Sequence, residues 1–332
     1  MAAVQYFIER FSVTCNKPMP HLQLACCPSH CAVPWQDKSI RIYENNNLQP
    51  PLELTGHHGN VSAMVIGMVR DRLVFCSASE DYVIVWDSDR CYRRSREGVT
   101  ASGRVVGTLL GKVEHLSLCP LSAKLAACSG SRVFLLNAER EDVLGVLKAH
   151  LGPVTASEFC PWDVNLLISI SEDRTFKIWD VKKGDILFES AVLSGGFIII
   201  NTNVYTTEIE VLYACKCREY IVKMLMFFFF FFSQRIHCLV CSSWSKTVSS
   251  SQGLVMDRAS CVWIGNSDGL YLLDLDTSEL VMILPLKGDL SISMAGSWAV
   301  SNGLGGNMCC LVTSLFGTSI ALLEVNSGRA LF

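Results

Sequence analysis

The chain has 332 residues, enough for one large all-β unit or for two ordinary domains. Its net charge is −3 and only 18% of its residues are charged, which excludes an overall basic field and predicts no nucleic-acid partner. Residues 1–14 lack the basic start and apolar run of a secretory signal, so the 16 scattered cysteines are interpreted as reduced thiols. We expect an intracellular protein, cytoplasmic or nuclear.

The first strand pattern appears after an N-terminal segment, residues 1–19, that we expect to be irregular. Apolar and polar residues alternate in Ser39–Tyr43, which predicts a strand that ends in an aromatic residue. Residues 20–195 repeat this pattern about four times, and we treat them as one unit.

Two windows of the chain can be superposed almost without gaps, His57–Trp86 and His150–Trp179, with 29 positions from His to Trp in both. Each contains a short apolar run, a second apolar run, a polar turn with an acidic residue, and a closing strand that ends in Trp-Asp. A weaker copy closes at Leu136. The closing positions 43, 86, 136 and 179 are 43, 50 and 43 residues apart, near the spacing of about 40 to 45 expected for a four-stranded blade.

Gly56–Asp87 and Ala149–Asp180 resemble WD repeats. The resemblance implies an all-β WD40 propeller of four-stranded antiparallel blades, six to seven in number, with one degraded or incomplete. It also implies that a His, a Ser, an Asp and the Trp form a hydrogen-bonded set that braces each blade. In this chain the two sets are His57, Ser77, Asp81 and Trp86, and His150, Ser169, Asp173 and Trp179.

One difference separates the two sets. Asp81 lies five positions before Trp86, whereas Asp173 lies six positions before Trp179. The first turn is therefore shorter, and we expect the first set to be incomplete.

An arginine-rich segment follows the first window. We interpret Ser88–Arg104 as a long loop in which five arginines surround one serine. It is either a solvated loop or a contact for an acidic partner, and phosphorylation of the serine would offset the arginines. The candidate contact residues are Arg90, Arg93, Arg94, Ser95, Arg96 and Arg104.

Residues 196–251 lack the repeat pattern and include six consecutive phenylalanines, Phe227–Phe232. The apolar run Ile221–Phe232 has 12 residues and contains a lysine, whereas a membrane-spanning helix needs about 20, so no membrane span is expected. Our hypothesis is that residues 196–234 are a retained intron or a gene-model error. Two cysteine pairs there, Cys215/Cys217 and Cys238/Cys241, have zinc-like spacing, but their position in this segment argues against a metal site.

Residues 252–332 are predicted to form further degenerate blades. Cys261–Gly265 and Leu270–Leu275 read as a hairpin with an Asp-Gly turn, and Cys309–Thr313 with Ser319–Val325 as another. The sequence leaves open whether the native protein continues past Phe332.

The repeated polar residues indicate architecture, because a reaction centre would need unrepeated acids, bases or ligands in one cleft. We therefore expect a non-catalytic scaffold that binds other proteins, with no catalytic residue, metal or cofactor. The alternative is an enzyme-associated propeller domain with a site in its central channel.

Overall fold

A computed structural model describes residues 6–19, 22–35, 38–45, 50–160, 163–190, 236–250, 253–274, 279–286, 290–302 and 308–325. Within these ranges the strands form six antiparallel sheets of four strands each. The expected fold class is confirmed as an all-β propeller with six four-stranded blades. A seventh blade stays a prediction.

The chain enters the fold through strand β1 (Phe7–Thr14). The first sheet then consists of β2 (Ala25–Cys26), β3 (His30–Trp35), β4 (Ser39–Glu44) and β5 (Leu52–Thr55). The second sheet consists of β6 (Ala63–Val69), β7 (Arg72–Ala78), β8 (Tyr82–Asp87) and β9 (Arg104–Thr108), with helix α1 (Ser88–Arg96) between its last two strands.

The next two sheets follow without interruption. The third sheet consists of β10 (Val113–Leu118), β11 (Lys124–Ser129), β12 (Arg132–Asn137) and β13 (Val143–Lys148). The fourth consists of β14 (Val154–Cys160), β15 (Asp163–Ser171), β16 (Phe176–Asp180) and β17 (Asp185–Glu189).

The last two sheets lie beyond the poly-Phe segment. The fifth sheet consists of β18 (Ile236–Ser250), β19 (Gly253–Asn266), β20 (Gly269–Asp274) and β21 (Glu279–Pro285). The sixth consists of β22 (Ala295–Asn302), β23 (Met308–Ser314) and β24 (Ser319–Val325), and its fourth strand is β1.

The N-terminal strand closes the last sheet. β1 pairs antiparallel with β24, from Phe7 opposite Val325 to Thr14 opposite Ser319. The expectation that residues 1–19 are irregular is therefore wrong for Phe7–Thr14. The polar, alternating sequence gave no hint of a partner, because that partner lies some 300 residues away in the chain.

Neighbouring sheets pack through their first strands. β2 contacts β6, β6 contacts β10, and β10 contacts β14, while β22 contacts both β18 and β2. The apolar core lies between the sheets: Val65 of the second sheet and Leu116 of the third share one cluster, and Phe159 and Trp179 of the fourth share another with Leu135 of the third. The first strands therefore lie innermost, around the axis of the propeller.

The antiparallel order gives each sheet two distinct ends. One end of each sheet holds the connection from the second to the third strand and the connection from the fourth strand to the next sheet. His57 and His150 lie at this end, which is called the histidine end. Connections from the first to the second strand and from the third to the fourth lie at the opposite end. Because α1 joins β8 to β9, this opposite end is called the helix end.

Part of the predicted loop Ser88–Arg104 is the helix α1, so that interpretation is wrong. Asp87 caps the N-terminus by accepting a hydrogen bond from the backbone of Arg90 at 2.9 Å. At the other end Gly98 has a φ of 70°, and Val99 donates to the carbonyl of Arg94 at 2.9 Å, the bond that closes a Schellman turn. Basic residues in the last turn also complement the helix dipole.

The segment 196–251 is described only in part. Its residues 236–250 form β18, which pairs with β19 over its whole length, from Ile236 opposite Asn266 to Ser250 opposite Gly253. These residues thus belong to a four-stranded sheet although their sequence lacks the repeat pattern, since backbone pairing needs no alternation of apolar side chains. The poly-Phe run, residues 196–234 and the pair Cys215/Cys217 lie outside the described residues. No helix in the described ranges is long and apolar enough to cross a membrane.

Candidate partner-binding surface

The polar set of the fourth sheet forms one continuous chain of hydrogen bonds. The indole N–H of Trp179 donates to Ser169 Oγ at 2.8 Å, and Ser169 Oγ lies 2.7 Å from His150 Nε2. On the other side of the ring, His150 Nδ1 lies 2.9 Å from Asp173 Oδ2. Because the ionised carboxylate can only accept, His150 donates from Nδ1 to Asp173, and the neutral ring therefore accepts at Nε2 from the Ser169 hydroxyl.

Asp173 is fixed by more than the histidine. Its Oδ2 accepts from the backbone of Leu151 at 2.9 Å, and its Oδ1 accepts from the Thr175 hydroxyl at 2.7 Å. Burial alone would raise the pKa of this carboxyl, but the bonds from Thr175, Leu151 and His150 outweigh it and lower the pKa below its usual range. Asp173 is thus ionised and ties the turn between β15 and β16 to His150.

The set of the second sheet differs in one bond. The Trp86 indole donates to Ser77 Oγ at 2.9 Å, and Ser77 Oγ lies 2.7 Å from His57 Nε2, as in the fourth sheet. His57 Nδ1, however, lies 4.0 Å from Asp81 and 2.8 Å from Ser79 Oγ. Ser79 in turn donates to Asp81. The direct His–Asp bond that the shorter turn put in doubt is absent, and Ser79 fills the gap.

Both sets hold neutral histidines away from solvent. His57 and His150 are each 6% exposed. Burial lowers the pKa of His57 to about 4, against the opposing charge of Asp81, and lowers that of His150 as well. A side chain so enclosed cannot meet a substrate, so the sets brace the histidine end of their sheets.

A second polar cluster on the innermost strands was missed by sequence reasoning. Ser117 of β10 donates to Glu158 of β14 at 2.8 Å, and His115 lies 3.8 Å from the same carboxyl group. From the segment just before β2, the Gln23 side chain bonds both the carbonyl and the N–H of Leu116, each at 2.7 Å. These residues come from two sheets and from the segment before a third, so no local motif could have indicated them.

Burial sets the charge of this cluster. It raises the pKa of Glu158 to about 8 and lowers that of His115 to about 3, so both are neutral near pH 7. His115 is 1% exposed and Glu158 8% exposed. The acid and base are thus closed off from any substrate in the structure.

Large apolar side chains protrude at the histidine end. Leu109, between β9 and β10, and Leu151, between β13 and β14, are each 95% exposed. Both lie in connections that join one sheet to the next. Leu109 also has a φ of 57°, a backbone conformation that is strained for a bulky residue and that glycine would adopt freely. Strain of this kind is a pointer to function.

The predicted contact arginines lie at the helix end but do not act alike. Arg90, Arg93 and Arg96 of α1 are exposed. Arg94 is half-buried and donates from Nε to the carbonyl of Thr100 at 2.9 Å, and Arg104 donates to the carbonyl of Glu139. Exposed Ser95 is not on the arginine-bearing face, since on a helix it shares a side with Cys91.

Comparison with known proteins agrees with the repeat pattern. Residues 141–180 match the family model described as "WD domain, G-beta repeat". The chain is 30% identical over 135 residues to "Ribosome biogenesis protein WDR12 homolog" of Nematostella vectensis, which is 40% of this chain and 30% of that protein. It is 27% identical over 113 residues to "WD repeat-containing protein 26 homolog" of Drosophila melanogaster, 34% of this chain and 17% of that protein.

A third relative is "U3 small nucleolar RNA-associated protein 15" of Schizosaccharomyces pombe, 31% identical over 65 residues, which is 20% of this chain and 13% of that protein. The chain thus aligns with less than a third of the length of these relatives. The match and these relatives support a likeness to the WD40 repeat family, and the six four-stranded sheets form an all-β propeller.

Among the residues that the structure describes, no group of three or more His, Cys, Asp or Glu side chains could hold a metal ion. Eleven cysteines in those ranges are free thiols.

Proposed function

We propose that this chain is a non-catalytic scaffold that binds other proteins at the ends of its propeller. The observation that carries the proposal is the pair Leu109 and Leu151, each 95% exposed in a connection between consecutive sheets. Full burial of one leucine stabilises a contact by about 1.5–3 kcal/mol, so two such side chains can anchor a partner. Leu109 also has a strained φ of 57°, and strain of this kind is a pointer to function.

The enzyme-associated alternative is less well supported. A central-channel site would need the acid and base on the innermost strands to be reachable, but His115 and Glu158 are buried. Repetition of the His-Ser-Asp-Trp chemistry in two sheets likewise favours a structural role.

The particular family member, the partners and the location are proposed from the sequence and from the names of the relatives. Residues 20–195 and about 255–325 resemble WD repeat-containing protein 27, through Gly111–Val113 and Gly152–Ala156 among others. We propose protein partners and a cytoplasmic or nuclear location. The names of the ribosome-biogenesis and nucleolar relatives favour the nuclear option.

The test replaces both leucines in the full chain. The Leu109→Ser/Leu151→Ser variant should lose at least one protein that the unaltered chain captures from cells, as measured by quantitative mass spectrometry. The matched control is Leu121→Ser, because Leu121 is 56% exposed in the β10–β11 connection at the helix end. If the double variant captures the same proteins in the same amounts as this control, the proposal fails.

A further inference from the structure

The exposed side of α1 carries a row of arginines. Arg90, Arg93 and Arg96 are three residues apart, so they form one ridge that climbs about 9 Å along the helix axis. All three are exposed. Within the described part of the chain none of them makes an ion pair, whereas nearby Arg70 and Arg72 do.

Two acidic side chains at the helix end are already occupied. Asp87 caps α1 through the backbone of Arg90 and lies 3.7 Å from Arg72. Glu139 pairs with Arg70 at 2.9 Å. Neither Asp87 nor Glu139 is therefore free to pair with the three-arginine ridge.

The ridge has a net positive charge, but acidic residues also lie in its segment. The segment 88–97 contains four arginines and two acidic residues, Asp89 and Glu97, a net charge of 4 − 2 = +2. Without half-buried Arg94, the three arginines of the ridge and the two acids leave 3 − 2 = +1. The two carboxylates would repel a continuous ladder of phosphates. Separate carboxylates placed opposite the arginines avoid this repulsion, and the planar guanidinium binds a carboxylate through two parallel hydrogen bonds.

We propose that the Arg90–Arg93–Arg96 ridge binds an extended acidic segment of a partner protein. Side chains on one face of an extended chain recur about every 6.6–6.8 Å, so two or three acidic residues span the 9 Å ridge. This inference deepens the scaffold function and rests on it. It concerns the helix end, whereas the leucine anchors lie at the histidine end.

The test uses the full chain and a fluorescein-labelled peptide of alternating Glu and Ser, with binding followed by fluorescence anisotropy. The Arg90→Gln/Arg93→Gln/Arg96→Gln variant should bind the peptide about tenfold or more weakly, since each charge-assisted contact contributes modestly and three are lost. The control is Arg132→Gln/Lys148→Gln/Arg174→Gln, which removes the same charge from exposed residues at the histidine end and should bind like the unaltered chain.

Three results would overturn the inference: no binding of the peptide to the unaltered chain, equal weakening in both triple variants, or tighter ridge-dependent binding of a single-stranded oligonucleotide. Should the triple variant not fold, as judged by circular dichroism, Arg93→Gln alone should weaken binding about twofold to threefold. The peptide assay does not involve Leu109 or Leu151. If the peptide does not bind at the ridge but the Leu109→Ser/Leu151→Ser variant still loses partners, the acidic-segment site is rejected and the scaffold function is not.

Discussion

The second and fourth sheets meet the same physical requirement in two ways. Each buries a tryptophan whose indole N–H needs an acceptor, and each supplies a serine and a neutral histidine. In the fourth sheet the histidine bonds Asp173 directly, whereas in the second sheet Ser79 stands between His57 and Asp81. A turn shorter by one residue moves the carboxylate away, and a hydroxyl two positions earlier replaces its contact.

The difference also shows in exposure. The Asp173 side chain is 10% exposed and the Asp81 side chain 25% exposed. We expect the stability of the fourth sheet to depend strongly on the Asp173 carboxylate. The stability of the second sheet should depend on the serine relay, the hydrogen-bonded path from His57 through Ser79 to Asp81. This contrast can be tested on the full chain through its free energy of unfolding.

The largest expected effect is one that the two sheets share. Trp86→Ala and Trp179→Ala should each lower the free energy of unfolding by about 3–5 kcal/mol, because both indoles are fully buried and a large cavity remains. Urea denaturation measures the loss. A difference of more than about 2 kcal/mol between the variants would show that the tryptophans are not equivalent anchors.

Removing the carboxylate should lower the free energy of unfolding by different amounts in the two sheets. Asp173→Ala is expected to cost about 2–3 kcal/mol, since it leaves His150 Nδ1, the Leu151 N–H and Thr175 without their acceptor. Asp81→Ala should cost about 1 kcal/mol, because His57 keeps its bond to Ser79 and solvent can reach the vacated site. Equal losses in urea denaturation would contradict the contrast.

Acid should weaken the second sheet. The folded-state pKa of His57 is lowered from 6.5 to about 4, so the unfolded chain takes up its proton first. The stability contributed by neutral His57 is present above pH 6.5 and is lost as the pH falls toward 4. Between pH 7 and pH 5 this loss should be about 1–2 kcal/mol.

Amide hydrogen exchange, corrected for intrinsic rates, resolves the acid effect by sheet. Strands β7 and β8 should lose protection over this interval, and His57→Asn should remove that part of the pH dependence while leaving β15 and β16 unaffected. An unchanged pH dependence of β7 and β8 in His57→Asn would assign the effect to another group.

The smallest expected difference concerns the relay itself. Ser79→Ala should destabilise the chain by about 1 kcal/mol more than Ser171→Ala at the matching position of the fourth sheet. Ser79 accepts from the histidine, whereas Ser171 contacts only backbone groups, the carbonyl of Gly152 and the N–H of Asp173. Thermal unfolding at pH 7 measures this. A larger loss in Ser171→Ala would mean that the relay contributes nothing.

Two features that the prediction from sequence lacks, the helix α1 and the bridge through Ser79, have local signals in the sequence. Asp87 before a helical stretch and Gly98 after it are ordinary helix-boundary signals, yet the arginine-rich composition of Ser88–Arg104 favoured a loop. Ser79 could similarly have been considered as a bridge, because it lies between Ser77 and Asp81 in the first window. Local chemistry was sufficient in both cases.

The amino-acid residues alone are enough to define the repeating unit. The matched spacing of His57 to Trp86 and His150 to Trp179, with alternating apolar strands, indicates four-stranded antiparallel sheets because strand period and turn position are local properties. It also indicated which side chains would meet within a sheet, since those partners lie about 20 residues apart.

Contacts between distant parts of the chain follow from the three-dimensional arrangement of the sheets. The pairing of β1 with β24, the reach of Gln23 to Leu116, and the burial of Glu158 beside Ser117 depend on how the sheets are arranged around the axis. Periodicity within a strand carries no information about which other sheet lies beside it. The same limit holds for exposure: nothing in the sequence distinguishes Leu109 and Leu151 from buried leucines, and only the packing of the sheets leaves their side chains in solvent.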